Sequence, residues 1–351
     1  MRLINLRTCL MKLAQFLMLT RWGSGCMDNP RIVHATCYAM GTEFEFWLCN
    51  YDDDVAHLQA LAETAMHELE QLERRLSIFI PDSDINWINT SAANEPVRID
   101  EQLFSLLVNA KRLWAETDGA FDITIPPLLT CWNIYNGSGR LPSDEEINKA
   151  LQCVGMEHVI LSEHERTVAF DIPEIMLDLG GIGKGFAIDY IVGLLREYEI
   201  DAALIHGGWS TIYALGAPPN EGAWTVRLPH PKDASLEIAT FRLRDMSISS
   251  ASILSKAFTI GERIYGHVID PRTGYPVDEL LSAIAIAPTA TESDALSTAF
   301  LVLGFDGAHR YCKRRNDVGA ILFKWDSDCE DLSTHQLGIA SSLLIPNTMS
   351  S

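Results

Sequence analysis

Four groups of residues in this sequence are of the types and spacings that phosphoryl chemistry uses. The first is Asp178 to Asp189, DLGGIGKGFAID, in which Gly180, Gly181, Gly183 and Gly185 surround one lysine, Lys184. Glycines let backbone N–H groups and carbonyls approach a ligand without a Cβ in the way. A helix start adds unpaired N–H donors and a partial positive charge, which suits a phosphate. The spacing matches neither the dinucleotide fingerprint nor the Walker loop, and a tight turn into a helix explains the glycines equally well. The second group is Asp294 and Thr298 in TESDALSTAFLVLG. At i and i+4 both oxygens project from one helix face, an all-oxygen set that suits Mg²⁺ or Ca²⁺. The plainer alternative is charge complementarity at the helix start by Asp294, with Thr298 bonded back to the preceding turn. The third is His267, just before the turn Asp270-Pro271-Arg272-Thr273-Gly274, which taken alone is a satisfied structural histidine. The fourth is Asp122, set between Phe121 and Ile123, where a turn role is the simpler assignment.

The elements that must position these residues follow from hydrophobic period. Residues 32–48 read as strand and turn, with alternation through Phe44, Phe46 and Leu48 and a break at Met40-Gly41-Thr42. Residues 52–76 form an amphipathic helix with Leu58, Leu61, Ala65, Leu69, Leu72 and Leu76 on one face. A turn at Pro81-Asp82-Ser83 leads into a short helical turn, and a second helix spans about 101–116, stopped by Thr117-Asp118-Gly119. Ser143 and Glu146 make a capping box for a short helix to Val154. Ile175–Leu177 read as a strand before the glycine stretch, and residues 186–195 as the helix after it. Short strands follow at 202–205, 212–215, 223–228, 238–243 and 283–287, with His267 inside another strand-like run. The last helix is expected over residues 291–304. Strands interleaved with few helices, without steady alternation, define an α+β fold rather than a doubly wound sheet.

Composition narrows the function. The chain has 351 residues, 47% of them hydrophobic, and a formal charge of −20. A general polyanion-binding surface is thereby excluded, so a phosphorylated ligand requires local N–H donors, Lys184 and a metal cation. The eight cysteines are scattered with no C-x-x-C pair, which argues against a zinc site or a disulfide framework. Near the N-terminus a short apolar run, Leu13–Leu19, ends in Gly-Ser-Gly-Cys26. We read residues 1–31 as a leader and favour a cytoplasmic location. The alternative is a periplasmic inner-membrane lipoprotein, with membrane association only if Cys26 is lipidated.

Taken together and in order, these segments resemble the ApbE family of FAD:protein FMN transferases. The resemblance runs through Met40-Gly41-Thr42, Ser77…Pro81-Asp82-Ser83…Asn89, Asp118-Gly-Ala-Phe-Asp122 and Asp178 to Gly185. It continues through Gly207-Gly208, His267 to Gly274 and Asp294-Ala-Leu-Ser-Thr298. It implies one domain over residues 32–345, an ApbE-like (T-fold-related) α+β fold of mixed sheets with flanking helices in two intimately packed subdomains. It also implies a Mg²⁺-dependent enzyme that moves FMN from FAD to a threonine hydroxyl of a partner flavoprotein and releases AMP. FAD hydrolysis, or FAD carriage without turnover, are the alternatives. By the same resemblance Met40, Phe79, Ala120, Phe121, Asp122, Asp178, Lys184 and Ile269 lie along the FAD. The Gly181 carbonyl, Asp294 and Thr298 hold the metal, and Asp294 or His267 assists loss of the hydroxyl proton. Trp209-Ser210-Thr211 stands where many members carry an acidic or amide residue.

Overall fold

The structure, a computed structural model, describes residues 17–18, 31–50, 54–208, 210–229, 237–261, 263–326 and 331–345. After the two-residue strand β1 (Leu17–Met18) come β2 (Arg31–Ala39) and β3 (Thr42–Asn50), a hairpin closed by Met40 and Gly41. Both turn residues have positive φ, +51° and +72°, as the two-residue turn compatible with strand twist requires. Phe44, Phe46 and Leu48 all point into the core. Helix α1 (Val55–Leu76) starts at Asp54, whose carboxylate caps it, and buries the leucine stripe read from the sequence. Helices α2 (Asp84–Ser91) and α3 (Glu101–Glu116) are capped by Ser83 and Asp100. Asp118 and Gly119, both at positive φ, end α3. Strands β4 (Val97–Arg98), β5 (Val159–Ser162) and β6 (Thr167–Phe170) form a small sheet in the order β4-β6-β5. Between them lie α4 (Pro126–Cys131) and α5 (Asp144–Leu151), the latter started by the Ser143/Glu146 capping box and ending three residues earlier than expected.

The second half builds the main sheet. Helix α6 (Gly183–Glu197) leads to β7 (Ala202–Gly207), β8 (Thr211–Leu215), β9 (Trp224–Pro229), β10 (Glu237–Leu243) and β11 (Met246–Ser252). Next are the hairpin β12 (Phe258–Ile260)/β13 (Arg263–Tyr265), β14 (Ser282–Ala287), α7 (Ala290–Arg314), β15 (Gly319–Asp326), β16 (Asp331–Gly338) and α8 (Ala340–Leu343). Eight strands pair in the order β16-β15-β14-β11-β8-β7-β3-β2, while β1, β9 and β10 form a separate sheet. Both faces of the large sheet are covered. Ala283 and Ala285 of β14 belong to the main core under the helices, whereas Ile284 and Ile286 face β9, β10 and α8. Burial on both faces is why β7 and β14 read as continuous apolar runs. The main core runs from Val33 to Leu337, so the helices of the first half and the sheet of the second share one interior.

The α+β class holds, and within it every described pairing is antiparallel, where mixed sheets were expected. Ile175–Leu177 joins no sheet. The Asn89 side chain serves as its partner instead: the Leu177 N–H donates to Asn89 Oδ1 at 2.7 Å and the Leu177 carbonyl accepts from Nδ2 at 3.0 Å. His267 lies just past β13 rather than inside a strand. Helix α7 does not stop at Gly304; that residue breaks it (φ +63°, ψ −168°) and the chain resumes helix to Arg314. The break needs glycine because L side chains rarely adopt that backbone conformation. Cys37, Cys49, Cys131, Cys153 and Cys312 are free thiols. The proposed leader lies outside the described residues apart from Leu17, Met18 and Arg31, as do Cys26 and Trp209. Among the described residues no helix is long and apolar enough to cross a membrane.

Candidate active site

The glycine bend and the late helix meet. Helix α6 crosses α7 so closely that a Cβ on Gly185 would lie 2.1 Å from the Ala290 carbonyl oxygen. At this crossing the Gly185 N–H donates to Asp294 Oδ2 at 3.1 Å. Lys184 Nζ lies 3.4 Å from Asp294 Oδ1, and the Thr211 hydroxyl donates to the same oxygen at 3.2 Å. Asp294 is thus a buried carboxylate with one cationic neighbour, one backbone donor and one hydroxyl donor. Burial of this kind is costly unless the charge is met, and one lysine at 3.4 Å meets it in part.

Both plain explanations of the Asp294/Thr298 pair are displaced by the structure. Asp294 does not serve the helix start, because Thr289 and Asp189 occupy that position. Thr298 does not bond back to its own helix. Thr64, Thr90 and Thr117, all helical or at a helix end, donate to the carbonyl four residues earlier, but the Thr298 hydroxyl has no hydrogen-bond partner among the described residues. The Gly181 carbonyl is likewise unclaimed: the Gly185 N–H, which would bond to it if α6 began a turn earlier, is committed to Asp294. A carboxylate, a free hydroxyl and a free carbonyl fit a hard divalent cation, whose remaining positions water would fill.

Around this centre the other expected residues divide into two groups. Phe121 packs on the bend, since a Cβ on Gly181 would lie 3.3 Å from Phe121 Cε2. Asp178 accepts the Gly180 N–H and the Tyr135 hydroxyl, both at 2.8 Å, and Tyr135 meets the exposed ring of Phe79 edge-on at 6.0 Å between centroids. Burial and the Asp178 charge push the Tyr135 phenol upward, so it stays protonated and donates. Ala120 and Asp122 are turned inward. Asp122 Oδ1 accepts the Thr124 N–H (2.8 Å) and hydroxyl (2.6 Å), and burial raises its pKa to about 6 against those bonds. The buried Ile269 side chain sits in a third apolar cluster with Leu128, Trp132 and Phe258. Met40 stands at the β2–β3 turn, half-buried against the main core. Neither Met40 nor Ile269 has a hydrogen bond or ion pair to the Lys184–Asp294 pair.

His267 is largely enclosed, and its Nδ1 is a buried atom without a hydrogen-bond partner. Burial lowers its pKa to about 4, the Lys256 charge helps, and a backbone hydrogen bond with Ile253 pulls the other way. The ring is therefore neutral at ordinary pH. Three further residues have no forewarning in sequence spacing. Tyr135 orders Asp178, Thr211 orients Asp294, and Asp189 holds the start of α7. Thr211 and Asp189 are the last residues of stretches singled out in the sequence, with no role assigned to either, whereas Tyr135 follows an ordinary apolar run.

A buried carboxylate thus meets a lysine and a glycine bend at the start of α6. Residues 40–322 match the model of the ApbE family, and the chain belongs to that family. The FAD:protein FMN transferase of Escherichia coli (strain K12) is 29% identical over 305 residues, covering 83% of this chain and 86% of the relative. That of Treponema pallidum (strain Nichols) is 31% identical over 266 residues, covering 72% and 73%. The fold is similar to that of the flavin transferase ApbE from Vibrio cholerae, with a TM-score of 0.78 at 23% identity, covering 90% of this chain and 100% of that one.

Proposed function

We propose that this chain is a FAD:protein FMN transferase that moves FMN from FAD to a threonine hydroxyl of a partner flavoprotein and releases AMP. The observation that carries the reading is the meeting of the glycine bend with the late helix, where the Gly185 N–H and Lys184 both reach the Asp294 carboxylate. The relatives' activity and the acidic character of the chain support it, since an anionic pyrophosphate approaching a protein of charge −20 needs local positive charge. Mg²⁺ held by Gly181, Asp294 and Thr298 would neutralise charge that develops on the pyrophosphate.

The chain's own residues account for the rest. Lys184, 3.4 Å from the Asp294 carboxylate at the start of α6, would bind the phosphate oxygens. Phe79 and Tyr135 offer an aromatic wall for a ring system, and the Tyr135–Asp178–Gly180 bonds hold that wall to the bend. In the transfer the acceptor oxygen forms a bond to the phosphorus of the FMN half, and the bond from that phosphorus to the bridging oxygen breaks. AMP leaves with the bridging oxygen, and the hydroxyl proton passes to a side-chain base, for which Asp294 and His267 are the two candidates.

The test is incubation with FAD, Mg²⁺ and a threonine-bearing acceptor domain, read by intact mass and nucleotide chromatography. FMN added to the acceptor together with stoichiometric AMP is the expected result. AMP without the adduct identifies a hydrolase, and retained FAD with neither product identifies a carrier.

A further inference from the structure

The first turn of α7 is held by a residue of another helix. Four N–H groups at a helix start have no partner within the helix. Here Ala290 and Thr291 donate to Asp189 Oδ1 and Oδ2, each at 2.8 Å. The Glu292 N–H goes to Thr289 Oγ1 and the Ser293 N–H to the Thr289 carbonyl. The Thr291 hydroxyl adds a further bond to Asp189. Three of those donors are thus met from outside the backbone ladder, two of them by one carboxylate on α6, and Ser293 makes the first i→i−4 bond.

Asp189 follows Gly185 by one helical turn on α6, and Asp294 follows Ala290 by one turn on α7. The helices are therefore tied at two places a turn apart, at Gly185–Asp294 and at Asp189–Ala290/Thr291. Two ties fix both the slide of α7 along α6 and its rotation. That rotation decides whether the Asp294 and Thr298 oxygens face the Gly181 carbonyl. Glu292, paired with Arg112 at 2.9 Å and Arg315 at 3.1 Å, braces the same turn against α3.

We infer that Asp189 is a positioning residue for the cation site, setting the register of Asp294 and Thr298 without touching cation or substrate. The inference rests on the proposed reading of those two residues as cation ligands. A carboxylate is needed because it presents two acceptors to two adjacent N–H groups. In Asp189→Asn one arm becomes an NH₂ facing a donor.

The test uses the full chain, with Mn²⁺ alone as the binding probe, followed by electron paramagnetic resonance. Asp189→Asn is expected to weaken Mn²⁺ binding about 10-fold or more, the scale at which outer residues tune metal sites. Amide hydrogen exchange is expected to quicken from Ala290 to Asp294. The Mg²⁺ concentration for half-maximal turnover should rise by the same factor, with the KM for FAD at saturating Mg²⁺ unchanged. Asp189→Glu, which keeps both acceptors, should recover part of the affinity. Unchanged Mn²⁺ affinity in a folded Asp189→Asn protein, or an equal loss of FAD affinity, overturns the inference and leaves the proposed function standing. If Asp189→Asn does not fold, Thr291→Val removes the hydroxyl arm alone, and unchanged Mn²⁺ affinity there overturns it as well. A wild-type chain that binds no Mn²⁺ overturns the cation reading itself, and the inference with it.

Discussion

Replacing Gly185 by alanine should destabilise the protein, although helix propensity argues for the opposite sign. Alanine in place of a helical glycine is worth roughly 1 kcal/mol of stabilisation when the site has room. At Gly185 the new Cβ would stand 2.1 Å from the Ala290 oxygen, 2.5 Å from its carbonyl carbon and 2.8 Å from the Thr291 Cα. These are backbone atoms of a buried helix start, so no side-chain rotation relieves the clash; α6 and α7 must part by about 1 Å, and overpacking of a core costs about 1–3 kcal/mol. The strained helix crossing also carries the Gly185–Asp294 bond, and a hydrogen bond to a charged group contributes about 1.5–3 kcal/mol. Set against the propensity gain, the net expectation is a loss of about 1.5–5 kcal/mol. Gly193 supplies the control: it lies in the same helix with nothing within 4 Å of its Cβ, so Gly193→Ala should gain about 0.5–1 kcal/mol. Urea denaturation of the two variants reads both numbers. Displacing Asp294 from the bend by about 1 Å should also cost on the order of 10²-fold in turnover. If Gly185→Ala is as stable as Gly193→Ala, the close crossing of α6 and α7 is refuted.

Asp294→Ala should lower Mg²⁺-dependent turnover by at least about 10²-fold, the scale for removing one group that stabilises developing charge, as measured by AMP release. Lys184→Ala should weaken FAD binding by about 10–100-fold if a charge-assisted bond of about 1.5–3 kcal/mol is lost, which fluorescence titration checks. Asp122, with a folded pKa of about 6 against an ordinary value of 3.8, holds its proton in the native state where the unfolded chain has lost it, so stability falls as pH rises from about 4 to 6. Asp122→Asn should therefore stabilise the protein above pH 6 by up to about 3 kcal/mol and change little at pH 4, and identical urea midpoints at pH 7.5 would contradict this. His267, depressed to about 4, contributes stability above pH 6.5 that is lost as pH falls toward 4. By the same shift the acid limb of kcat/KM assigned to it should lie near pH 4; a limb at pH 6.5 abolished by His267→Gln would contradict that assignment.

Periodicity located the helices well because their apolar stripes are the core: α3 spans residues 101–116 as read, and each member of the α1 stripe is buried. The failures have local causes. Ile175–Leu177 has the composition of a strand, yet its hydrogen bonds go to an asparagine side chain 88 residues earlier, which no window along the chain can see. Gly304 is a sound stop signal, and the helix after it resumes because α7 continues to pack on the sheet beyond the break. In the site, the i, i+4 spacing of Asp294 and Thr298 placed both on one face, but which face met the glycine bend was a tertiary fact. Thr211 and Tyr135 stayed hidden for the same reason, since each acts through one long-range bond, to Asp294 and Asp178.

The proposed chemistry requires one cation position. Anomalous diffraction from crystals grown with FAD and Mn²⁺ should give a single strong peak bounded by the Gly181 carbonyl, the Asp294 carboxylate and the Thr298 hydroxyl, beside the FAD pyrophosphate. FAD bound at the bend with no peak there, or with the metal held by other residues, would contradict it.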